Sequence, residues 1–477
     1  MDINQSSLKT LAKIALAAMA ALFVIAIVFY KERVLFADAA FVVFHIINEK
    51  IFAIQENRYG SFITQMFPYF GAKLHLPLKT IIVGYGISFN LFFLSVNATL
   101  IYLLKQYRLA ILMALYYFLF FSESFIWISE IPQGIAWMFL LYGIMMYLGE
   151  KKNNLILFLS FIILGTLTLF THFVIAIPFL YLWVFFIIER NNWPFSKSTS
   201  WMLSGLIVVI IAGKFALSGS ATGPEASQLH GVTHFSLKDI IESFSKPEVT
   251  MFLYRCLVNY WAGTLVFIIG MVALLRNKQT LLAIWTFLSV TGYVIIKGLT
   301  YGTLDGTTQL FHIESEWTAI GIIVATPFVY SFLAAAGKPI GACLLTGIFI
   351  ARLVYIILFT LPFSARTEMK EQILTQMRRK GITKLAVIST EPLRAKAMLD
   401  WGLTYESTIM SSLDGDNPQL TFVFVADYEK AKIEKLKSST QFFDTWNFIP
   451  NNSLNKEYYH LNDAATYQVM TYQDLLK

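Results

Sequence analysis

Three acids and a histidine interrupt a mostly apolar run. In residues 34–57, VLFADAAFVVFHIINEKIFAIQEN, the groups Asp38, His45, Glu49 and Glu56 fall at i, i+7, i+11 and i+18. At 3.6 residues per turn they share one face of a helix. The rest of that helix is mostly Phe, Val, Ile and Ala, which predicts an element lying in a membrane interface. A carboxylate there is costly unless it has a partner or a task. Facing water suffices for Glu49 and Glu56. Asp38 sits between two alanines, which leave room for a ligand.

Other charges stand in equally apolar surroundings. Arg255 and Arg352 lie inside apolar runs, Lys214 and Lys297 near the ends of others, and Arg58 and Arg366 flank them. A charge inside a span is a functional candidate by default, and a terminal Lys snorkels at little cost. Glu123, Glu130, the pair Glu314 and Glu316, and His172 stand at ends of apolar runs. Pro132 suits a helix first turn, so capping explains Glu130 well. His230 and His234 are four apart in a Gly-containing loop and match no HExxH pattern, so no metal site is read from them. Cys256 and Cys343 sit in apolar runs and imply neither a disulfide framework nor a zinc site.

The elements that must hold these groups follow from composition. The 477 residues are 56% hydrophobic and 14% charged, against about 25% charged for a soluble domain. That excludes a soluble enzyme, a disordered chain and a nucleic-acid binder. Apolar stretches long enough to span a bilayer are read near 11–30, 78–104, 109–128, 131–148, 155–169, 172–188, 201–217, 251–275, 280–297, 316–334 and 340–361. The first is read as an uncleaved anchor rather than a signal peptide. With the N-terminus in the cytoplasm, the short inner stretches hold 11 basic residues in 44 positions, as the positive-inside rule requires. The long loops 31–77, 218–250 and 298–315 then all lie outside, which suggests chemistry on that face. The second of these contains an amphipathic helix over 235–245, a candidate cover for the site.

Residues 365–477 hold 14 basic and 14 acidic side chains, the density of a soluble domain. Helices are predicted over 367–379, 392–401 and 426–438, with strands over 384–389 and 420–425 and a turn at 414–418. The fold class is therefore mainly α: a polytopic transmembrane bundle of about 11 spans (1–364), with juxtamembrane interfacial helices and a small C-terminal α/β domain (365–477).

This organisation resembles the GT-C superfamily of integral-membrane glycosyltransferases, in their bacterial form. The points of likeness are one span followed by a long outer loop with an acid, the helix pair joined at Thr171-His172, and the acids of Glu314-Ser315-Glu316-Trp317. The end of the membrane region, from Arg352 through Arg366, is similar too. The resemblance implies inverting sugar transfer from a polyprenyl-phosphate-linked donor to a glycan, lipid or protein acceptor. Asp38 would then be the catalytic base. Arg255, Arg352, Arg366 and Arg58 would bind the lipid phosphate, and Glu123, His172, Glu314 and Glu316 would bind acceptor or sugar. No cofactor, metal or nucleic acid is implied. The location would be the bacterial inner membrane, with the N-terminus cytoplasmic and the C-terminal domain periplasmic. Two other functions fit the same charges: a polymerase or ligase of lipid-linked glycans, and a transporter or flippase. Charges clustered at one edge, without repeated halves, favour interface chemistry over transport.

Overall fold

The computed structural model describes residues 3–190, 193–218, 235–300, 310–413, 415 and 419–477. It is mainly helical, with a small sheet near the C-terminus. Seven helices are long and apolar enough to cross a membrane: Gln5–Val28, Leu78–Tyr102, Glu130–Lys151, Asn154–Thr171, Lys197–Leu217, Thr280–Thr300 and Lys338–Arg379. A bent pair, Leu237–Val258 with Trp261–Arg276, is a further candidate, and Tyr107–Leu119, Phe173–Glu189 and Ile320–Ala335 are shorter apolar helices.

Four elements at the start of the chain position the site: α1 (Ile3–Val28), α2 (Tyr30–Val34), α3 (Ala37–Glu49) and α4 (Phe62–Lys73). They are followed by α5 (Leu78–Tyr102), α6 (Tyr107–Leu119) and α7 (Glu130–Lys151). The last long helix, Lys338–Arg379, packs along α1. Leu11 lies under Gly341, Ser364 bonds Glu32 at 3.2 Å and Lys31 pairs with Glu371 at 2.9 Å. The two helices therefore run in the same direction, and the C-terminal domain sits at the end opposite the N-terminus.

Several expected helices break earlier, or run further, than hydropathy predicts. The run 109–128 is helical only to Leu119 and continues as irregular chain with one turn at Glu123–Phe125. The run 251–275 is broken by an 84° bend. Here Asn259 and Tyr260 both return their N–H groups to the Arg255 carbonyl, which closes the first helix. The helix Lys338–Arg379 runs unbroken through 364/365 and absorbs the helix expected at 367–379. The helix expected over 34–57 covers only Ala37–Glu49, set off from α2 at Leu35-Phe36, and Glu56 lies beyond it in a left-handed conformation at φ 46°. The apolar face of α3 does not meet an interface. Val43, Phe44, Ile46 and Ile47 are fully buried, and Phe44 stacks on Phe442 and Tyr459 of the C-terminal domain.

In that domain, β1 (Lys384–Ile388) lies between β2 (Thr421–Val425) and β5 (Gln468–Thr471), all parallel. A short hairpin, β3 (Phe442–Phe443) with β4 (Phe448–Ile449), stands beside the sheet. Both expected strands are present, and the expected helices are Glu391–Ala397 and Lys430–Ser438. A further helix, Leu403–Ser412, is buried along its whole length. Its hydroxyls turn back onto its own carbonyls, Ser407 to Leu403 at 2.6 Å and Thr408 to Thr404 at 2.7 Å, which makes so polar a sequence tolerable inside. The expected turn at 414–418 lies outside the described residues except for 415, as do His230 and His234.

Candidate active site

Asp38 occupies the first turn of α3 and is exposed there, between buried Ala37 and Ala39. It is recessed yet reached by solvent, at a small cavity lined also by Ser61, Thr64, Gln65, Tyr85, Glu130 and Gln133. Trp127 Nε1 donates to Asp38 Oδ2 at 3.0 Å. Burial raises the Asp38 carboxyl, and Glu130 raises it further. The Trp127 bond and Arg58 act the other way, leaving it at about 6. Arg58 lies 3.1 Å from Glu56 and 3.5 Å from Glu130. The loop carrying Arg58 is set by Gly60, where a Cβ would fall 1.8 Å from Thr171 Oγ1. A carboxyl near pH 6 in a solvent-reached cavity is suited to proton exchange with a ligand hydroxyl.

A second small cavity shares the walls Phe89, Ile128 and Ser129 with the first. Its other walls are largely aromatic, and Leu22 of α1 reaches it. Arg33 of α2 is the cation in it, 2% exposed. Its guanidinium bonds the Phe125 carbonyl, the Gly86 carbonyl at 3.5 Å and Asn90 Oδ1 at 2.8 Å, and lies 4.4 Å from the Phe125 ring centroid. Nε has no hydrogen-bond partner. Burial pulls Arg33 down to about 9 with no acid beside it to oppose the shift, so it stays charged at neutral pH.

The corner between α2 and α3 is held by the C-terminal domain. Glu406, on the buried helix, accepts from Ala37 N at 2.9 Å. The same carboxylate takes a two-pronged contact from Arg366, 2.5 and 2.8 Å, and a bond from Lys370 at 2.7 Å. Arg366 and Lys370 both also bond the Leu35 carbonyl, at 3.3 and 2.6 Å. Burial alone would raise Glu406, but Arg366 and Lys370 outweigh it and hold it at about 2. Ala37 has φ 38°, a strained value for a residue with a side chain. Gly402 approaches so closely that a Cβ there would lie 2.7 Å from Ala37 Cα. Asp38 follows this pinned residue directly, which sets its direction.

The other expected site residues lie elsewhere. Arg352 is fully buried and bonds the carbonyls of Phe118, Phe121 and Asn259 and the Ser122 hydroxyl at 2.6–2.9 Å. It closes the end of α6, and these donors are not open to a phosphate. Arg255 bonds Asn259 Oδ1 at 2.9 Å at the same bend. Glu314 accepts from the backbone of Ser122 and Ser124 at 3.0 and 2.8 Å and faces Tyr260. Glu123 begins the turn beside this group, so it is Glu130, expected to cap α7, that lines the Asp38 cavity. Glu316 pairs with Lys297 at 2.6 Å. Lys297 is 1% exposed, so it does not snorkel. His172 caps the turn Phe173–Ile175 by accepting from Val174 N. Arg366 belongs to the Glu406 clamp. The helix Leu237–Ser243 packs on Thr280–Thr300, where Gly298 meets Ser243, and not over Asp38.

Sequence reasoning missed Arg33, Trp127, Glu406 and Lys370. Arg33 stands two residues from Lys31 and reads as an ordinary flanking charge. Among the described residues no group of three or more His, Cys, Asp or Glu is placed to hold a metal ion. No protein-family model, curated protein or solved structure matches the chain.

Proposed function

We propose that the chain is a multi-pass membrane glycosyltransferase of the GT-C kind, working on the side where its C-terminal domain lies. The observation that carries this reading is the pair of adjoining cavities, one holding a recessed carboxyl near pH 6 and the other a buried, acid-free guanidinium. The Arg33 cavity takes the phosphate of a polyprenyl-phosphate-linked sugar, and its aromatic walls, reached by Leu22 of α1, suit an isoprenoid chain. The Asp38 cavity, with its hydroxyls and amides, takes the sugar and the acceptor hydroxyl.

In the reaction Asp38 accepts the proton of the acceptor hydroxyl as that oxygen bonds the anomeric carbon. The bond from that carbon to the phosphate oxygen breaks, and the lipid phosphate leaves with the electron pair, its charge met by Arg33. Configuration inverts, because attack and departure are on opposite faces. Arg58 holds Glu130 and Glu56, so that extra acid beside Asp38 is partly neutralised.

The parallel run of α1 and the last helix supports an N-terminus and a C-terminal domain on opposite sides of a membrane. A lipid-glycan polymerase or ligase would use the same two cavities with a longer acceptor. The test is sugar transfer by purified protein in nanodiscs, using a polyprenyl-phosphate-sugar panel. Asp38→Asn abolishes transfer in a folded protein, and Arg33→Gln weakens donor binding. Transfer at the wild-type rate by Asp38→Asn would overturn the reading.

A further inference from the structure

The exposed face of α3 carries a second feature one turn beyond Asp38. Phe41 and His45 follow Asp38 on that face, about 4.5 Å and 10 Å along the axis, while Ala39, Ala40, Val43 and Phe44 point into the protein. Against Phe41 the C-terminal domain places two indoles. Ring centroids are 6.1 Å apart for Phe41 and Trp401, 5.9 Å for Phe41 and Trp446, and 5.5 Å for Trp401 and Trp446. Trp446 is 61% exposed.

The exposure of Trp446 is built in. It sits in the β3–β4 turn directly after Thr445, whose φ is 86°, a left-handed value that a β-branched residue rarely adopts. Neighbouring bonds hold the turn there. Thr445 Oγ1 donates to the Trp401 carbonyl at 2.5 Å, and Asp444 Oδ1 accepts from Trp446 N at 3.1 Å and Asn447 N at 2.6 Å. Tyr405 Oη fixes the Asp444 carbonyl at 2.7 Å. Backbone strain is thus maintained to hold out an indole that joins no core. An indole kept rigid and half bare, next to two further rings, is a stacking surface.

We propose that Trp401 and Trp446, inclined 33° to each other and backed edge-on by Phe41, form a platform for a pyranose ring of the acceptor glycan, extending the Asp38 cavity outward. This rests on the transferase reading above. A pyranose has an apolar C–H face that stacks on an aromatic ring and a rim of hydroxyls that seeks polar groups. The His45–Glu49 pair, 2.7 Å apart on the same helix, supplies such groups beside the platform. Glu49 and Asp444 disfavour an anionic base or nucleotide.

The test is saturation-transfer NMR on the full-length protein in nanodiscs with maltohexaose, cellohexaose and mannohexaose. Every pyranose offers a C–H face, so transfer to ring protons is expected for at least one oligomer. Trp446→Ala weakens that binding about tenfold, the equivalent of one aromatic stacking contact, and Trp446→Phe restores most of it. Oligomer binding is read without any lipid donor and sugar transfer is read separately, so the platform and the catalytic reading fail separately. No transfer to any of the three oligomers, or equal binding by Trp446→Ala, overturns the proposal. So does quenching of Trp446 fluorescence by brominated lipid, which would make it an interfacial anchor, and so does competition of the oligomer signal by choline alone.

Discussion

Arg33 and Arg352 are both buried arginines near the irregular chain between α6 and α7, yet they are engaged differently. Arg352 directs its guanidinium at three backbone carbonyls and a hydroxyl, all at 2.6–2.9 Å. Arg33 bonds two carbonyls and an amide, leaves Nε unused, and faces a cavity. Burial of a cation in an apolar setting therefore does not mark a binding site. The two differ in unused donor capacity and in the space beside it. Arg352 holds together a helix end that hydropathy would have continued, and Arg33 leaves one donor unused beside a cavity.

The comparison can be broken in several ways. The largest expected effect is on Asp38: Asp38→Asn lowers the transfer rate by about 10²–10⁴, the range for losing a general base, with the melting temperature unchanged. Next is the clamp. Glu406→Gln leaves Arg366 and Lys370 without their shared anion and costs about 3–5 kcal/mol of stability, measured by thermal denaturation and by proteolysis of the C-terminal domain. Arg352→Ala orphans several carbonyls and costs about 2–3 kcal/mol, with donor affinity little changed among molecules still folded. Arg33→Gln gives the opposite result: stability close to wild type and a donor KM raised about tenfold, roughly one charge-assisted contact. If Arg352→Ala weakens donor binding and Arg33→Gln does not, the assignment of the two arginines is reversed.

The pH profile gives the finest distinction. Asp38 must be ionised to act, so activity falls as pH drops through about 6. Glu406 behaves the other way in stability. Its folded value lies near 2, below its ordinary 4.5, so the clamp is intact above the ordinary carboxylate range and is lost only as pH falls from there towards 2. Activity should thus disappear well before the domain undocks. Trp127→Phe removes a bond that lowers Asp38, and shifts the acid limb of the rate profile to higher pH.

Asp38 was legible because it is a lone acid between alanines in an apolar run, and the long apolar helices were legible from length alone. The breaks were not. Residues 109–128 are uniformly apolar, and what ends the helix at Leu119 is Arg352, more than 230 positions away. Depth along a helix singled out Arg352 but said nothing about where its donors go. Glu406 was hidden for a different reason: LTYESTIMSS has the polarity of a surface segment, and only its internal hydroxyl bonds make it a core helix. The clamp joins Ala37 to a side chain 369 residues later, a contact that no local pattern announces.

That contact has a consequence for how the protein is made. Ala37 and Asp38 are synthesised early, but their anchor Glu406 arrives only after the last long helix has been laid down. Until then, the corner before α3 has no partner for its strained backbone. A chain arrested between Arg379 and Glu406 would carry all seven long helices and both cavities' linings, yet lack a directed carboxylate. The direction of Asp38 is therefore set only after the last long helix and residue 406 have been made.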